Sequence, residues 1–350
     1  MMESSNAPLM SVVIPNYNGA AYLEACLRSL MKQARRDFEV LIVDNASTDS
    51  SIETALRACP QARILPQERN LGFAGGVNAG IRVARGAWVA VLNNDTEAAE
   101  DWAAACAAAI DRHADAVFFA CRILEMSHRE TVYSAGDCYL RAGIGYRRGQ
   151  EQPDGPLYDP EVPVFSACGC AALYRRSVLE ELGGFDERFF AYLEDLDLGL
   201  RLQCLGRAGF YVPQARVYHW GSATGGGEFS SLGVRLRTRN SILLLLKSVP
   251  ATILRRTVPM VLAAQLWWLL RVLRHGRLIS YLRGTWQALC MAPAMLGSRR
   301  ELRGQWTAES VARLWQSILQ SEALARQDYL PEPAGRSSRF LKWYFGFFCR

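Results

Sequence analysis

Phe38–Asp44 reads FEVLIVD, a β-rich apolar run that ends on a carboxylate and is followed by NASTDS at 45–50. Such a short run predicts a strand rather than a helix. Upstream, Ser11–Pro15 (SVVIP) is a second apolar run, and Ala21–Met31 places Leu23, Leu27 and Leu30 on one helical face. Downstream, Ser51–Ala58 predicts a helix, Ala62–Leu65 a strand, Gly75–Arg85 a helix and Trp88–Leu92 a buried strand. Strands alternating with helices predict a parallel sheet with right-handed crossovers. Ligands of such sheets bind beyond the carboxyl ends of the strands. Those ends read Asn16–Tyr17–Asn18, Asp44–Asn45 and Asn93–Asn94–Asp95, all of them polar.

The 350 residues are 50% hydrophobic and 21% charged, a globular composition that excludes wholesale disorder and collagen-like repeats. No apolar run reaches the roughly 18 residues of a membrane-spanning helix, and there is no internal repeat. MMESSNAPLM lacks the basic start and apolar stretch of a secretory signal. The ten cysteines form no CxxC pair and no zinc-site spacing with histidine. Many lie in apolar stretches, which predicts small hydrophobes in a reducing compartment. The formal net charge of +6 is uneven. Arg235–Arg303 carries 13 Lys and Arg against one acid, Glu301, a net +12, and the remainder has 27 basic and 33 acidic residues, a net −6.

The middle of the chain is mixed. Ala116–Leu124 and Val164–Tyr174 predict strands, and Asp195–Leu205 predicts a helix. Asp137–Pro160, rich in Gly, Arg and Pro, predicts a loop or hairpin. Gly225–Gly227 predicts a hinge, with one domain over 1–228 and a second region over 229–350.

Six stretches follow one another: VVIPNYNG at 12–19, VDNASTDS at 43–50, NLGFAGGVNAG at 70–80, LNNDT at 92–96, GCAALYRRSVLEELGGFDERFFAYLEDLDLGLR at 169–201 and YVPQARVYHWGSAT at 211–224. Together they resemble the family 2 inverting glycosyltransferases of GT-A fold, especially the rhamnosyltransferase-like bacterial branch, over about residues 10–225.

A nucleotide-sugar donor brings a pyrimidine whose N3–H seeks an acceptor, and a carboxylate at a strand end such as Asp44 supplies one. The resemblance places Asp44 at the base; either Tyr17 or the backbone around Pro15 is then a candidate to pack against the ring, and Asn18 and Asn45 are further candidates for donor contact. Capping of the next helix by Asp44 and Asn45 is the plainer alternative. Gly72, Gly75, Gly76 and Gly80 permit close backbone approach, in a spacing that fits neither the dinucleotide fingerprint nor the P-loop. Gly75, Asn70 and Asn78 are accordingly candidates for donor contact, and helix–sheet packing is their alternative.

Asn93–Asn94–Asp95 stands where the resembling family carries DxD. The first carboxylate is an amide here, so Asn94 and Asp95 face the donor and Asp95 is the charged ligand for Mg²⁺ or Mn²⁺. A helix cap is the other reading of Asp95. A histidine near the position of His219 completes the metal shell in the resembling enzymes, and imidazole suits Mn²⁺ better than Mg²⁺.

Tyr192–Asp197 (YLEDLD) sets three carboxylates at a helix start, a position that favours acids in any case. Inverting transfer needs one base for the acceptor hydroxyl, and crowded carboxylates raise one another's pKa. Asp195 matches the second residue of the family's ED motif and is assigned the base. Glu194 orients acceptor or base, Asp197 is structural, and Asp186 and Glu187 line the acceptor site. Paired carboxylates also suit a glycoside hydrolase, which leaves the motifs at 12–95 unexplained.

In the basic part, Ile242–Leu246 is five consecutive aliphatics, and Val258–Leu270 (VPMVLAAQLWWLL) is interrupted by Gln265 alone. Trp267 and Trp268 beside Arg271, Arg274 and Arg277 read as an interfacial anchor to an anionic membrane surface. Core helices are the alternative. No zinc finger or recognition helix supports a nucleic-acid partner. Phe340–Phe348 (FLKWYFGFF) reads as a second anchor or a docking strip, with a mobile end.

The expectation is an α/β GT-A domain, mainly parallel sheet flanked by helices, with a C-terminal helical, membrane-associating extension. It is a metal-dependent, inverting hexosyltransferase using a dTDP- or UDP-sugar, with dTDP-L-rhamnose favoured by the resemblance. The acceptor is a glycan or lipid-linked glycan of bacterial surface polysaccharide synthesis, at the inner face of the cytoplasmic membrane. The C-terminal helices could also join two copies. The alternative is a non-catalytic glycan-binding or scaffold protein with a degenerate transferase fold, a reading that rests on Asn93.

Overall fold

A computed structural model describes residues 7–221, 226–329 and 339–349. Most of the stretch read as lacking a signal, the Ser222–Thr224 end of the sixth motif and Gly225 of the hinge lie outside them. The first part runs β1 Met10–Asn16, α1 Ala20–Met31, β2 Phe38–Asp44, α2 Ser51–Ala58, β3 Arg63–Pro66, α3 Gly72–Ile81, β4 Trp88–Leu92, β5 Thr96–Ala98 and α4 Trp102–Arg112. The middle continues with β6 Phe118–Glu125, β7 Val132–Ser134, β8 Asp137–Leu140, β9 Ile144–Arg147, β10 Val162–Pro163, β11 Ala171–Arg175, α5 Arg176–Leu182, α6 Glu194–Cys204 and β12 Gly209–His219. Five helices complete it: α7 Ser231–Ser248, α8 Ala251–Arg274, α9 Leu278–Arg303, α10 Ala308–Gln327 and α11 Arg339–Phe348.

One ten-stranded sheet forms the centre, in the order β10-β12-β6-β11-β4-β1-β2-β3, with β5 on β12 and β7 on β6. Its β1, β2, β3 and β4 pair in parallel, as the alternating pattern requires. β11 enters antiparallel between β4 and β6, and β6 then pairs parallel with β12. Residue period two sorts the strand side chains onto two faces. Val12, Ile14, Val40, Ile42, Ala90 and Leu92 join Leu23, Cys26, Leu27 and Leu30 of α1 in one core. Val13, Leu41, Val43, Val89 and Val91 join Ala74 and Val77 of α3 in the other. Eight of the ten cysteines are buried and all are free thiols.

The predicted strand over 164–174 is realised only from Ala171. The preceding residues are buried but wrap a site instead of extending the sheet. Ser166 exchanges backbone hydrogen bonds with Asp137, and the Gly169 N–H donates to Asp195 Oδ2 at 3.1 Å. Asp137–Pro160 does contain a hairpin, β8–β9.

The C-terminal helices bury apolar faces against the middle of the chain. Tyr139, Phe165, Phe189, Leu196 and Leu200 pack with Leu243, Leu244, Ile253, Met295, Leu314 and Ile318. Cys138, Leu140 and Tyr146 of the hairpin pack with Ala264, Ala325, Phe340 and Tyr344. The aromatic strip at 340–348 is thus a helix docked on its own chain. No helix among the described residues is long and apolar enough to cross a membrane.

Candidate active site

The carboxyl ends of β1, β2 and β4 meet at one cleft of about 1370 Å³, which exceeds the usual volume of a single small-molecule pocket. Asn16 ties these ends together. Its Oδ1 accepts from Asn94 Nδ2 at 2.7 Å, and its Nδ2 donates to Asp44 Oδ1 at 3.3 Å and to Ser47 Oγ at 3.2 Å. Asp44 Oδ2 accepts from the Ser47 N–H at 3.1 Å. Gly19 is required beside this chain, because a Cβ there would lie 2.0 Å from Asn94 Nδ2.

β5 pairs antiparallel with the end of β12, placing His219 opposite Thr96. The Trp220 N–H also donates to the Asp95 carbonyl at 3.1 Å. This brings His219 Nε2 within 3.1 Å of Asp95 Oδ1, with both side chains almost fully buried. Neither ring nitrogen of His219 has a hydrogen-bond partner among the described residues. A neutral imidazole needs both a donor site and an acceptor site, and leaving them unmet in the interior is costly. A divalent cation shared with Asp95 would take the Nε2 lone pair, so this pair fits a metal. Tyr133 stands edge-on to the imidazole, with ring centroids 4.5 Å apart.

Across the cleft, α6 starts with Glu194 and Asp195. The approach is strained: Phe190, Tyr192 and Leu193 have φ of 65°, 71° and 69°, a region unfavourable to residues with a side chain. α7 holds it in place. Asn240 Nδ2 donates to the carbonyls of Phe189, Ala191 and Tyr192 at 3.0, 2.8 and 2.6 Å, and Arg239 Nη2 donates to Phe189 O at 2.6 Å.

Asp195 Oδ1 accepts from the Leu196 N–H at 2.8 Å and Oδ2 from the Gly169 N–H, which fixes the carboxylate while leaving lone pairs toward the cleft. Burial raises its pKa, opposed by those amides and by the Arg237 charge. Glu194 is raised well above the carboxylate range by burial and by the charge of Asp195. Its Oε2 has no hydrogen-bond partner among the described residues. Asp137 on β8 joins them, and burial together with the charge of Asp195 pushes it up to about 8. Oxygens of Asp137 and Asp195 and the Cys168 Sγ lie within 4.8 Å of one another, a second set of possible metal ligands. A thiol is a soft ligand, poorly matched to Mg²⁺ or Mn²⁺.

Of the residues expected from sequence, Pro15, Tyr17, Asn45, Asn70, Asn94, Asp95, Glu194, Asp195 and His219 line the cleft. Asn18, Asp44, Gly75, Asn78, Asp186 and Glu187 do not. Asn18 Oδ1 accepts from the Thr48 N–H, which fastens two loops together. A Cβ on Gly75 would lie 2.7 Å from Leu71 Cβ, a packing constraint. Asn78 exchanges hydrogen bonds with the Phe185 backbone and donates to Glu187. Asp186 is buried against Lys247 at 2.7 Å and Arg188 at 2.6 Å. Burial opposes its charge, but these partners hold its carboxyl far below the usual range. Asp197 is structural as expected, bonded to Lys247, Arg201 and Ser248. The cleft also contains Tyr133, Asp137, Arg147, Cys168, Arg235 and Arg237, none of which carries a local sequence signal.

The model of the family Glycosyl transferase family 2 matches residues 11–183. An N-acetylglucosaminyl-diphospho-decaprenol L-rhamnosyltransferase of Mycobacterium tuberculosis is 33% identical over 238 residues, 60% of this chain and 76% of that one. A PGL/p-HBAD biosynthesis glycosyltransferase of Mycobacterium bovis is 30% identical over 199 residues, 56% of this chain and 70% of that one. Among solved structures, GalNAc-T7 with UDP, GalNAc and Mn2+ superposes with a TM-score of 0.55 at 18% identity, covering 69% of this chain and 48% of that one. Mannosyltransferase PcManGT from Pyrobaculum calidifontis, in complex with GDP-Man and Mn2+, superposes at 0.50 and 17% identity, covering 93% and 88%. The sheet order, the cleft at the strand ends and these relatives agree that the chain belongs to glycosyl transferase family 2, as a transferase of GT-A fold.

Proposed function

We propose that the protein is an inverting, metal-dependent hexosyltransferase that moves a sugar from a dTDP- or UDP-linked donor to a lipid-linked glycan in bacterial surface polysaccharide synthesis. The rhamnosyltransferase relative favours dTDP-L-rhamnose. The observation that carries the reading is one cleft with the Asp95–His219 pair and the Glu194–Asp195 pair on its walls. Asn16 positions the donor side by fixing Asn94 and Asp44. Asp44, buried at the end of β2 beside Asn16, is the acceptor for the N3–H of the base. Asp95 and His219 hold the cation, which when bound neutralises the departing diphosphate as a Lewis acid. Mn²⁺ suits the imidazole.

Asp195 accepts the proton of the acceptor hydroxyl as that oxygen bonds to the anomeric carbon, opposite the breaking bond to the diphosphate. Its raised pKa makes it a stronger base than a free carboxylate. Glu194, with one oxygen unpartnered, receives an acceptor hydroxyl and orients it.

The protein works as a peripheral protein at an anionic membrane face. Supporting this, α8 exposes Leu262, Leu266, Leu270 and Leu273, and α9 exposes Ile279, Leu282, Trp286 and Leu289. So broad an apolar surface, set among arginines, suits an interfacial position. The test is release of nucleoside diphosphate from a panel of dTDP- and UDP-sugars, with N-acetylglucosamine linked through diphosphate to a short polyprenol as acceptor. Metal-dependent release with an inverted anomeric configuration supports the reading; retained configuration in the product removes it.

A further inference from the structure

Cys168–Gly169–Cys170 is part of the cleft wall just before β11, and neither thiol takes part in the transfer chemistry. Cys168 Sγ lies 3.8 Å from Cys170 Sγ. The Cys168 sulfur and one carboxylate oxygen each of Asp137 and Asp195 lie within 4.8 Å of one another. Asp137 and the two cysteines are buried, Asp195 is half-buried, and all four line the cleft, so an ion from solvent can reach them. The backbone between the thiols holds the base itself, since the Gly169 N–H donates to Asp195 Oδ2 at 3.1 Å. A search for CxxC or histidine spacings passes over this set, because β8 and α6 supply half of it.

The geometry suits a cation. Bonds of about 2.3 Å from zinc to thiolate put two sulfurs of a tetrahedral site about 3.8 Å apart, the separation found here. Carboxylate oxygens complete such a shell at about 2.0–2.2 Å. Asp137 Oδ1 accepts from Ser134 Oγ at 3.0 Å, and its other oxygen has no hydrogen-bond partner among the described residues. The charge of Asp195 opposes ionisation of Asp137, and a cation between them removes that repulsion. Two thiolates and two carboxylates overbalance a divalent ion. Arg147 offsets the excess, because its guanidinium lies over the Tyr133 ring at 4.0 Å and its charge acts on Asp137 and both sulfurs. Thiolates select against the hard ions and favour Zn²⁺ or Cd²⁺.

We propose that Cys168, Cys170, Asp137 and Asp195 form a second cation site, for Zn²⁺ or another thiophilic divalent ion, separate from Asp95 and His219. Each thiol that binds releases its proton to solvent. The ion takes lone pairs of Asp195 and so inhibits transfer by occupying the base; that consequence alone rests on the transferase reading above.

Cd²⁺ is the probe, titrated into the full reduced chain freed of other metals, with thiolate-to-metal charge transfer read in the ultraviolet. The wild type is expected to develop the band with one ion per chain. Cys168→Ser, Cys170→Ser and Asp195→Asn are each expected to weaken Cd²⁺ binding by about tenfold or more, and His219→Ala to change it by less than about threefold. Absence of the band in a wild type with reduced thiols overturns the proposal, without any need for a variant to fold. A band that survives both serine variants belongs to other cysteines, such as the exposed Cys290, and also overturns it. A band lost in His219→Ala but kept in Cys168→Ser moves the ion to Asp95 and overturns it as well. Unchanged affinity in Asp195→Asn removes the base from the site. With Mn²⁺ saturating, Zn²⁺ is expected to slow transfer by about tenfold or more in the wild type, and far less in Cys168→Ser relative to its own rate; equal slowing in both overturns the inhibitory role. An intact band in a chain that transfers no sugar supports the cation site and overturns the transferase reading.

Discussion

His219 Nε2 lies 3.1 Å from Asp95 Oδ1, yet the imidazole forms no hydrogen bond with it or with any other described residue. The two residues are far apart in sequence and are joined by the β5–β12 pairing. If the pair holds a cation, Asp95→Ala and His219→Ala should each weaken Mn²⁺-dependent nucleotide binding by about tenfold or more. Both should leave the weak binding in EDTA unchanged. Calorimetric titration with and without metal separates the two effects.

Asp195→Asn keeps the shape and the two amide hydrogen bonds but removes the proton acceptor. Transfer should fall by about a hundredfold or more, while nucleotide affinity stays within about threefold. Initial rates beside equilibrium binding would reverse the assignment if binding is lost and transfer survives.

Asn240 is argued to act through the backbone it clamps. Asn240→Ala removes three hydrogen bonds to carbonyls next to residues with left-handed φ. kcat should fall by about tenfold or more, with little change in donor affinity. A loss confined to thermal stability, with kcat unchanged, would contradict the positioning role.

Asp137 gives a stability prediction with a definite sign. Burial and the charge of Asp195 raise its folded pKa from 3.8 to about 8. The folded state therefore binds more protons than the unfolded chain between those values, and this site's contribution to stability falls as pH rises through the window. Asp137→Asn mimics the protonated acid. It should raise Tm at pH 8 by about 2 °C or more, with the gain vanishing toward pH 4. A variant less stable than the wild type at pH 8 would show that the carboxylate is stabilised there.

The exposed apolar stripes predict lipid contact. Leu266 and Trp286 are 57% and 68% exposed, so Leu266→Glu with Trp286→Glu should cost the fold little. Sedimentation with anionic vesicles should fall by about tenfold. Unchanged sedimentation would assign this face to something other than lipid.

The β1–β4 unit was legible in sequence because its strands are short apolar runs and its helices carry period-3.6 stripes. Their ends delivered Asn94, Asp95 and Asn45 to the cleft directly. The segment at 164–170 misled because burial, not sheet pairing, makes it apolar. Asp186 and Asn78 sit in the same motifs as the cleft residues but turn inward, to Lys247 and to the Phe185 backbone. Motif membership does not tell which way a side chain faces. Asp137, Arg235 and Arg237 escaped because their significance arises only when β8, α6 and α7 pack together. The basic charge of the last third was visible in the sequence, but not its division between a cleft wall and an outer surface.

The most direct test of the account is thermal unfolding of the wild-type chain with dTDP, UDP and their sugars, with and without Mn²⁺. With Mn²⁺, a nucleotide at about 100 times its Kd should stabilise the protein by about 2.7 kcal/mol, and the same concentration should stabilise it far less without the metal. A folded, Mn²⁺-supplied protein that none of these nucleotides stabilises would contradict a donor site at Asp95 and His219.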